Sequence, residues 1–413
     1  MADSILVLGG GFAGLAAVRE LARHRRRGMK LTVRLIDRRP YSVFSPLLPD
    51  LISQRVRPEH ICLPLEPHCR RMGVEFVQAD VRGIATTPCR VDTDAGQFSA
   101  DYLIISLGCE TNYFGSSEAQ ARTIGLKSLE EARSIRERAR EMARRPAAST
   151  APGHLVVVGG GYTGFEAAGH AAYLLHTLTG RPYTGLRSVC RIIVADKGDE
   201  PLMNCPPRVR RWAVDLVQGY GIEVRTGTTL EAFEGERAVR LSDGSVLRDA
   251  TVVWAAGVTP GKACASLQAP RTGGGRLLVD QYLRLPETPN AFAAGDVAGP
   301  TPPGAKQALR MSVQFSLAGG TVAASNVVRS IQGKSLLPFR PFDPGYVIPL
   351  APGQAAGVVL GRELVGRVPQ MLHYVMCALR SWGWSNRWGV LSDTWARSPA
   401  PAAHGDSANA GSP

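Results

Sequence analysis

Two glycine-rich strand–turn–helix signals, each followed by a second strand ending in aspartate, predict an α/β chain with two Rossmann-like dinucleotide-binding domains. The first is SILVLGGGFAGLAAVREL, a β-branched and leucine run (Ile5–Val7) that enters Gly9, Gly11 and Gly14 and leaves into an alanine-rich helical stretch. The second, HLVVVGGGYTGFEAAGHAAYLLH, repeats the pattern with Gly159, Gly161 and Gly164. A third observation completes the class. The stretch PQMLHYVMCALRSWGWSNRWGVLSDTW holds four of the six tryptophans and reads as amphipathic C-terminal helices suited to a membrane surface.

The glycine spacing has a chemical purpose. Gly9 allows the tight turn, Gly11 lets the backbone approach a pyrophosphate, and Gly14 lets the helix pack closely on the strand. The helix N-terminus favours the negative charge. KLTVRLIDRR then ends a strand at Asp37, placed to hold a ribose 2′-hydroxyl. In the second unit CRIIVAD ends at Asp196, whose carboxylate repels a 2′-phosphate and so favours NADH, a preference that Lys197 softens. Two such units imply two dinucleotides. Glu166, read as lying in the first turn of the second helix, either complements the helix dipole or contacts a bound nicotinamide.

Between the units the chain reads as follows. RRPYSVFSPLLPDLISQRVRPEHICLPLE is loop plus short helix, at the ring end of a cofactor whose adenine end sits at Asp37. VEFVQADVRGI signals a strand pair, and Asp92–Gly96 a hairpin turn. Tyr102–Leu107 reads as a buried strand ending in Gly108, and LKSLEEARSIRERAREMARRP as an amphipathic helix with Ser128 as N-cap. Pro146–Gly153 is a linker where a domain crossing is expected. After the second glycine motif come short strands with an Asp243–Gly244 hairpin, then a buried strand, Thr251–Ala255, ending near Gly257. LLVDQYLRLPETPNAFAAGDVAG ends a strand at Gly295–Asp296, an aspartate able to accept from a ribityl hydroxyl. GAKQALRMSVQFSLAGGTVAASNVVRSIQG reads as one helix, followed by strands in PGYVIPLAPGQAAGVVLG and RELVGRV. The expected division is 1–120 with 290–335 for the first dinucleotide, 121–289 for the second, 336–397 for strands and interfacial helices, and 398–413 as a disordered tail.

Composition narrows the class. The 413 residues are 44% hydrophobic and 20% charged, as in an ordinary globular chain with a large core. The net charge of +13 comes from arginines scattered along helices and loops, which reads as solvated faces and not as a nucleic-acid surface. The eight cysteines stand singly, without redox or zinc spacing, which fits a reducing cytoplasm. The first strand signal begins within a few residues of Met1, so no signal peptide is expected, and no stretch reads as a spanning helix. Contact with a membrane would be peripheral. In that reading Trp382, Trp384, Trp388 and Trp395 with Arg380, Arg387 and Arg397 meet headgroups; the alternative is a core or homodimer helix.

With these pieces in place the chain resembles the type II NADH dehydrogenases, single-subunit FAD-dependent NADH:quinone oxidoreductases. The matching stretches are GGGFAGL, FSPLLP, LGCETNYFG, LKSLEEA, GGGYTGFEAAG, VVWAAGV and YLRLPETPNAFAAGDVA. The resemblance implies FAD held by Gly9, Gly11, Phe12, Ala13, Gly14, Asp37, Gly108 and Asp296, with the Val81 backbone near the adenine. It implies NADH on Gly161, Thr163, Gly164, Glu166, Asp196 and Gly257, and a quinone near Pro46, Leu47 and Gln314, with Glu166 and Gln314 as the catalytic pair. Hydride would pass from NADH to flavin and two electrons onward to quinone, with no metal and no proton pumping, on the inner face of the cell membrane. One departure concerns the acceptor. The family's quinone helix usually carries two glutamines four residues apart; here Gln314 is followed by Ala318, or in another register Lys306 and Arg310 stand there. A protein or small-molecule acceptor is the alternative, as is a non-enzymatic NADH sensor. A disulfide reductase would need a cysteine pair within Tyr41–Gln54, which has none, and a sulfide:quinone reductase would need paired cysteines where only the isolated Cys109 and Cys377 stand. For the proton donor to a reduced quinone the candidates are His373 and Lys127.

Overall fold

Apolar runs bounded by glycine become the central strands of two sheets. The computed structural model describes residues 2–145 and 151–396. The chain divides into a first unit of Met1–Ser45, Ile61–Glu131 and Trp254–Gly345 and a second of Pro46–His60, Ala132–Val253 and Tyr346–Pro413. These limits differ from the expected division in several places, and residues 121–131 and 336–345 are among those that fall in the first unit. Residues 254–289 stand with the first unit, because Cys109–Thr111 pairs antiparallel with Val258–Pro260. Pro46–His60 stands with the second unit. The strands and helices from Tyr346 onward also group there, and do not form a part of their own. The expected tail and Arg397 lie outside the described residues, as do residues 146–150 of the expected linker.

In the first unit five parallel strands lie in the order Ala291–Ala293, Tyr102–Ile105, Asp3–Leu8, Leu31–Asp37, Glu75–Gln78. Strands of such a sheet are covered on both faces, and Val7, Leu8, Leu35, Ile36, Leu103, Ile104 and Ile105 are accordingly fully buried. The crossover from the first strand to Leu31–Asp37 is the helix Phe12–Arg26. A second helix, Val313–Ile331, packs against it. A β-carbon at Gly320 would overlap the Ala13 carbonyl, so a glycine at that contact lets the two backbones approach. That second helix is shorter than the sequence predicts. Residues 304–312 are irregular, and the helix starts where the Ser312 hydroxyl accepts from Phe315 N at 3.4 Å. Lys306 and Arg310 are therefore off the helix, whereas Gln314 and Ala318 are on it. The Asp92–Gly96 turn joins the strands Cys89–Thr93 and Gly96–Ser99, as expected of a hairpin.

The second unit repeats the plan with the order Glu223–Arg225, Cys190–Ala195, Gly153–Val158, Ala250–Trp254 and the crossover helix Tyr162–Thr179. A hairpin joins Ala238–Leu241 to Val246–Arg248 around Gly244, whose φ of 83° suits the turn. A three-stranded sheet, Gly345–Ala351, Gln354–Val359 and Arg362–Gly366, then leads into the helices Arg367–Arg380 and Trp384–Ala396. Among the described residues no helix is long and apolar enough to cross a membrane.

Candidate active site

The two glycine turns share one hydrogen-bond pattern. Gly9 N donates to Ile36 O and Gly159 N to Ala195 O, both at 2.8 Å. The next amide caps the acid: Gly10 N donates to Asp37 Oδ2 at 2.6 Å, and Gly160 N donates to Asp196 Oδ2. The other carboxylate oxygen accepts from the chain two residues on, Arg39 N at 2.8 Å and Gly198 N at 2.7 Å. Gly9 and Gly159 have φ of 94° and 112°, values that a side chain would oppose. Neither following helix has a side-chain cap or an acidic residue in its first turn. Both therefore present uncapped N–H groups and an unneutralised positive end, the arrangement that receives a phosphate.

The first turn opens into a cleft of about 910 Å³. Gly9, Gly11, Phe12, Ala13, Asp37, Val81, Gly108 and Asp296 all line it. Gly14 does not, because it faces the strand turn beneath. Burial pushes the Asp37 carboxyl up, against the amides of Arg39 and Gly10 and the charges of Arg39 and Arg38. Asp296 is held through its carbonyl, which accepts from Arg276 Nε at 3.1 Å and from the Cys109 thiol at 3.3 Å. Burial raises that thiol to about 12, so it is a poor nucleophile.

Several cleft residues escape local sequence reasoning. Thr259–Ala263 reach it through the pairing of Val258–Pro260 with Cys109–Thr111, a contact with no local signature. Ser316 lines it from the second turn-facing helix, a position that recognising the Ser312 cap would have suggested. Lys127, a candidate proton donor, lines the same cleft.

The remaining candidates divide between the two units. Gly161 and Thr163 are exposed at the second turn, Gly164 is buried beneath it and Asp196 half-buried. Gly257 belongs to the first unit, where its carbonyl accepts from Asn112 N at 3.0 Å. Glu166 lies beyond the first helical turn, not in it, and burial followed by the charge of Asp50 raises its carboxyl well above the usual range. That weakens the helix-dipole role. Pro46 and Leu47 fall in the second unit, Leu47 fully buried. Gln314 is not part of the cleft lining, and its Nε2 donates to Gly345 O at 3.2 Å. His373 is in the second unit, and burial lowers its imidazole to about 4 despite the neighbouring Asp50.

Two sheets, each with a glycine turn and an acid tied to its amide, define a doubly repeated α/β class. The family model described as pyridine nucleotide-disulphide oxidoreductase matches residues 3–312, and the chain belongs to that family. It is 27% identical over 370 residues to a type II NADH:quinone oxidoreductase of Staphylococcus saprophyticus, covering 88% of this chain and 91% of the relative. Its fold superimposes on that of NDH2 from Plasmodium falciparum in complex with NADH with a TM-score of 0.83, at 16% identity, covering 97% and 99% of the two chains. The sulfide:quinone oxidoreductase of Aquifex aeolicus shares the fold at a TM-score of 0.73 and 18% identity, covering 95% and 93%.

Proposed function

We propose that this chain is a flavin-dependent NADH:quinone oxidoreductase, holding FAD in the first cleft and NADH at the second glycine turn. The observation that carries the reading is the repeated turn: two uncapped helix N-termini, each beside a carboxylate fixed by the turn amide. The residues fit the cofactor. A β-carbon at Gly11 would meet nothing within 4 Å, so the cleft has open space where a pyrophosphate would lie. Bound flavin would supply the hydride acceptor and the two-electron step to quinone. The chain's part is to bind and align. The Gly11 and Gly161 turns receive the phosphates, Asp37 and Asp196 the riboses, and Gly108, Val81 and Asp296 the rest of the flavin nucleotide. The family resemblance assigns Thr163, Gly164, Glu166 and Gly257 to NADH, and Pro46, Leu47 and Gln314 to the acceptor.

Sulfide chemistry fits less well. It needs reactive thiolates, and burial pushes both Cys109 and Cys377 upward. In an anaerobic cuvette, NADH is expected to bleach the flavin absorbance and a ubiquinone or menaquinone analogue to restore it. Bleaching that persists in quinone but reverses with a dye or a protein acceptor would refute the quinone assignment.

The same reading puts the protein on the inner face of the cell membrane, and the C-terminal helices support contact with a membrane surface. On Arg367–Arg380 the exposed apolar side chains are Val368, Met371, Val375, Met376 and Leu379, spaced along one helical face, while Tyr374, Cys377 and Ala378 are buried. On the following helix Trp384, Trp388 and Trp395 are 73%, 66% and 88% exposed. A contiguous apolar face of this kind marks an interaction site, and tryptophan suits the headgroup level of a bilayer. Replacing Trp388 and Trp395 by glutamate removes about 3 kcal/mol or more of burial, so liposome partitioning is expected to fall by about 100-fold. Unchanged sedimentation with anionic vesicles would refute the interface.

A further inference from the structure

Two arginines of the first unit line one cavity of about 10 Å³, room for about one water molecule, and they meet opposite treatment. Arg310 is half-buried and answered by charge. Its Nη1 and Nη2 donate to the two carboxylate oxygens of Asp343, Nη2 to Oδ1 at 2.7 Å. Arg276 is 8% exposed and is answered only by carbonyls. Its Nε donates to the Asp296 carbonyl at 3.1 Å and its Nη1 to the Leu309 carbonyl at 2.6 Å, and among the described residues it forms no ion pair. A carbonyl accepts a hydrogen bond but returns no charge. A buried cation without a carboxylate in contact is costly, and a fold retains one where negative charge has to be met nearby.

That charge lies at the cleft wall. Asp296 borders both the small cavity and the cleft, as do Gly295 and Ser316. Burial lowers the Arg276 pKa and the charge of Asp296 opposes it, yet an arginine stays protonated at any working pH. Two further side chains reach Asp296 among the described residues. The Ser316 hydroxyl donates to Oδ1 at 3.5 Å, and the Cys109 thiol donates to the carbonyl at 3.3 Å. The hydroxyl is neutral, and burial holds the thiol at about 12 and so uncharged. Of the three groups bonded to Asp296, the arginine alone brings a charge.

Hydride from NADH brings the flavin two electrons and one proton, so the first unit gains one negative charge beside a carboxylate that is already there. We propose that Arg276 is a positioning residue with an electrostatic part: it fixes the turn at Asp296 and offsets that residue's charge, which keeps reduction of the flavin favourable. The inference rests on the flavin reading of the first cleft. With the arginine made neutral, the Asp296 carboxylate stands uncompensated and the reduced form is disfavoured. A unit charge acting across about 10 Å at an effective dielectric near 20 changes such an equilibrium by about tenfold, which is about 30 mV for a two-electron couple.

The test reads the midpoint potential of the bound flavin, by slow reduction of the purified holoprotein with xanthine and xanthine oxidase beside a reference dye. R276Q still donates to one carbonyl but has no charge, and its reduction equilibrium is expected to fall about tenfold, a potential about 30 mV more negative than wild type. R276K keeps the charge and loses the forked geometry, so its equilibrium should stay within about twofold, or about 10 mV, of wild type even if its melting temperature drops. R276M is the second neutral variant and should match R276Q. A wild-type potential in the neutral variants overturns the proposal. So does a fall in R276K equal to that in R276Q, because charge would then not be the cause. If both neutral variants fail to fold or to hold flavin, the arginine serves the fold alone and the proposal is overturned. A wild-type chain that takes up no flavin is a separate result: it refutes the flavin reading, and the role of Arg276 falls with it.

Discussion

Gly14→Ala is expected to yield a chain that no longer retains flavin, whereas Gly164→Ala keeps the flavin and loses its response to NADH. Helix propensity alone points the other way, since alanine in place of glycine inside a helix stabilises by about 1 kcal/mol. Sterics decide the sign. A β-carbon at Gly14 would overlap the Gly9 carbonyl oxygen and lie 2.9 Å from the Ser106 hydroxyl, and one at Gly164 would overlap the Gly159 carbonyl. Both obstacles are backbone within a tight turn, so relief requires the helix to move off its strand. Overpacking of that kind costs about 3 kcal/mol or more, and the displacement falls on the turn that receives the phosphates. Gly11→Ala provides the contrast, because its β-carbon meets open space. That variant should melt with wild type yet bind flavin more weakly, the methyl group occupying room meant for ligand. The check is the ratio of 450 nm to 280 nm absorbance after desalting, with NADH bleaching for the second site. Full flavin content in Gly14→Ala would mean that the first turn does not hold the cofactor.

The parts of the molecule legible in the sequence are those whose chemistry is local. A glycine turn, the strand before it and the acid after the next strand all lie within a short stretch, and the hydrogen bonds from Gly10 and Gly160 to Asp37 and Asp196 join groups that the spacing alone brings together. The same holds for the Ser128 cap, whose hydroxyl accepts from Glu131 N at 3.1 Å. Contacts made across the chain leave no such trace. The pairing that brings Thr259 to the cleft, and the Tyr374 hydroxyl on Asp50, join segments far apart in sequence, and each partner alone looks like an ordinary polar residue. The sequence pattern overextends the helix containing Gln314 for a different reason. Its small and polar residues give a weak period, so nothing separates helix from preceding loop except Ser312, the N-cap.

Asp393→Asn is expected to lower the melting temperature by about 2–4 °C at neutral pH, with a gap that closes in acid. Asp393 is 3% exposed, and its Oδ2 accepts from Arg57 N at 2.9 Å while facing His60 Nδ1 at 2.6 Å. Its Oδ1 accepts from Arg57 Nε at 2.9 Å. Asparagine keeps the shape but has one accepting oxygen, so at least one donor would be left facing an N–H. Breaking a buried pair costs about 3–5 kcal/mol, which falls to about 2–3 kcal/mol here because half of the Arg57 side chain is in water. Burial alone would raise the Asp393 carboxyl, but the hydrogen bonds from Arg57 N, His60 and the Arg57 side chain outweigh it and hold the group below its ordinary value. A carboxylate depressed in the folded state adds stability above its unfolded pKa of about 3.9 and loses it as pH falls through the folded value. The wild-type advantage should therefore be full at pH 7 and at pH 5, and shrink below about pH 4. Melting curves of the two proteins across that range read the difference directly. A gap that persists undiminished at pH 3, or none at pH 7, would show that this carboxylate does not anchor the last helix through its charge.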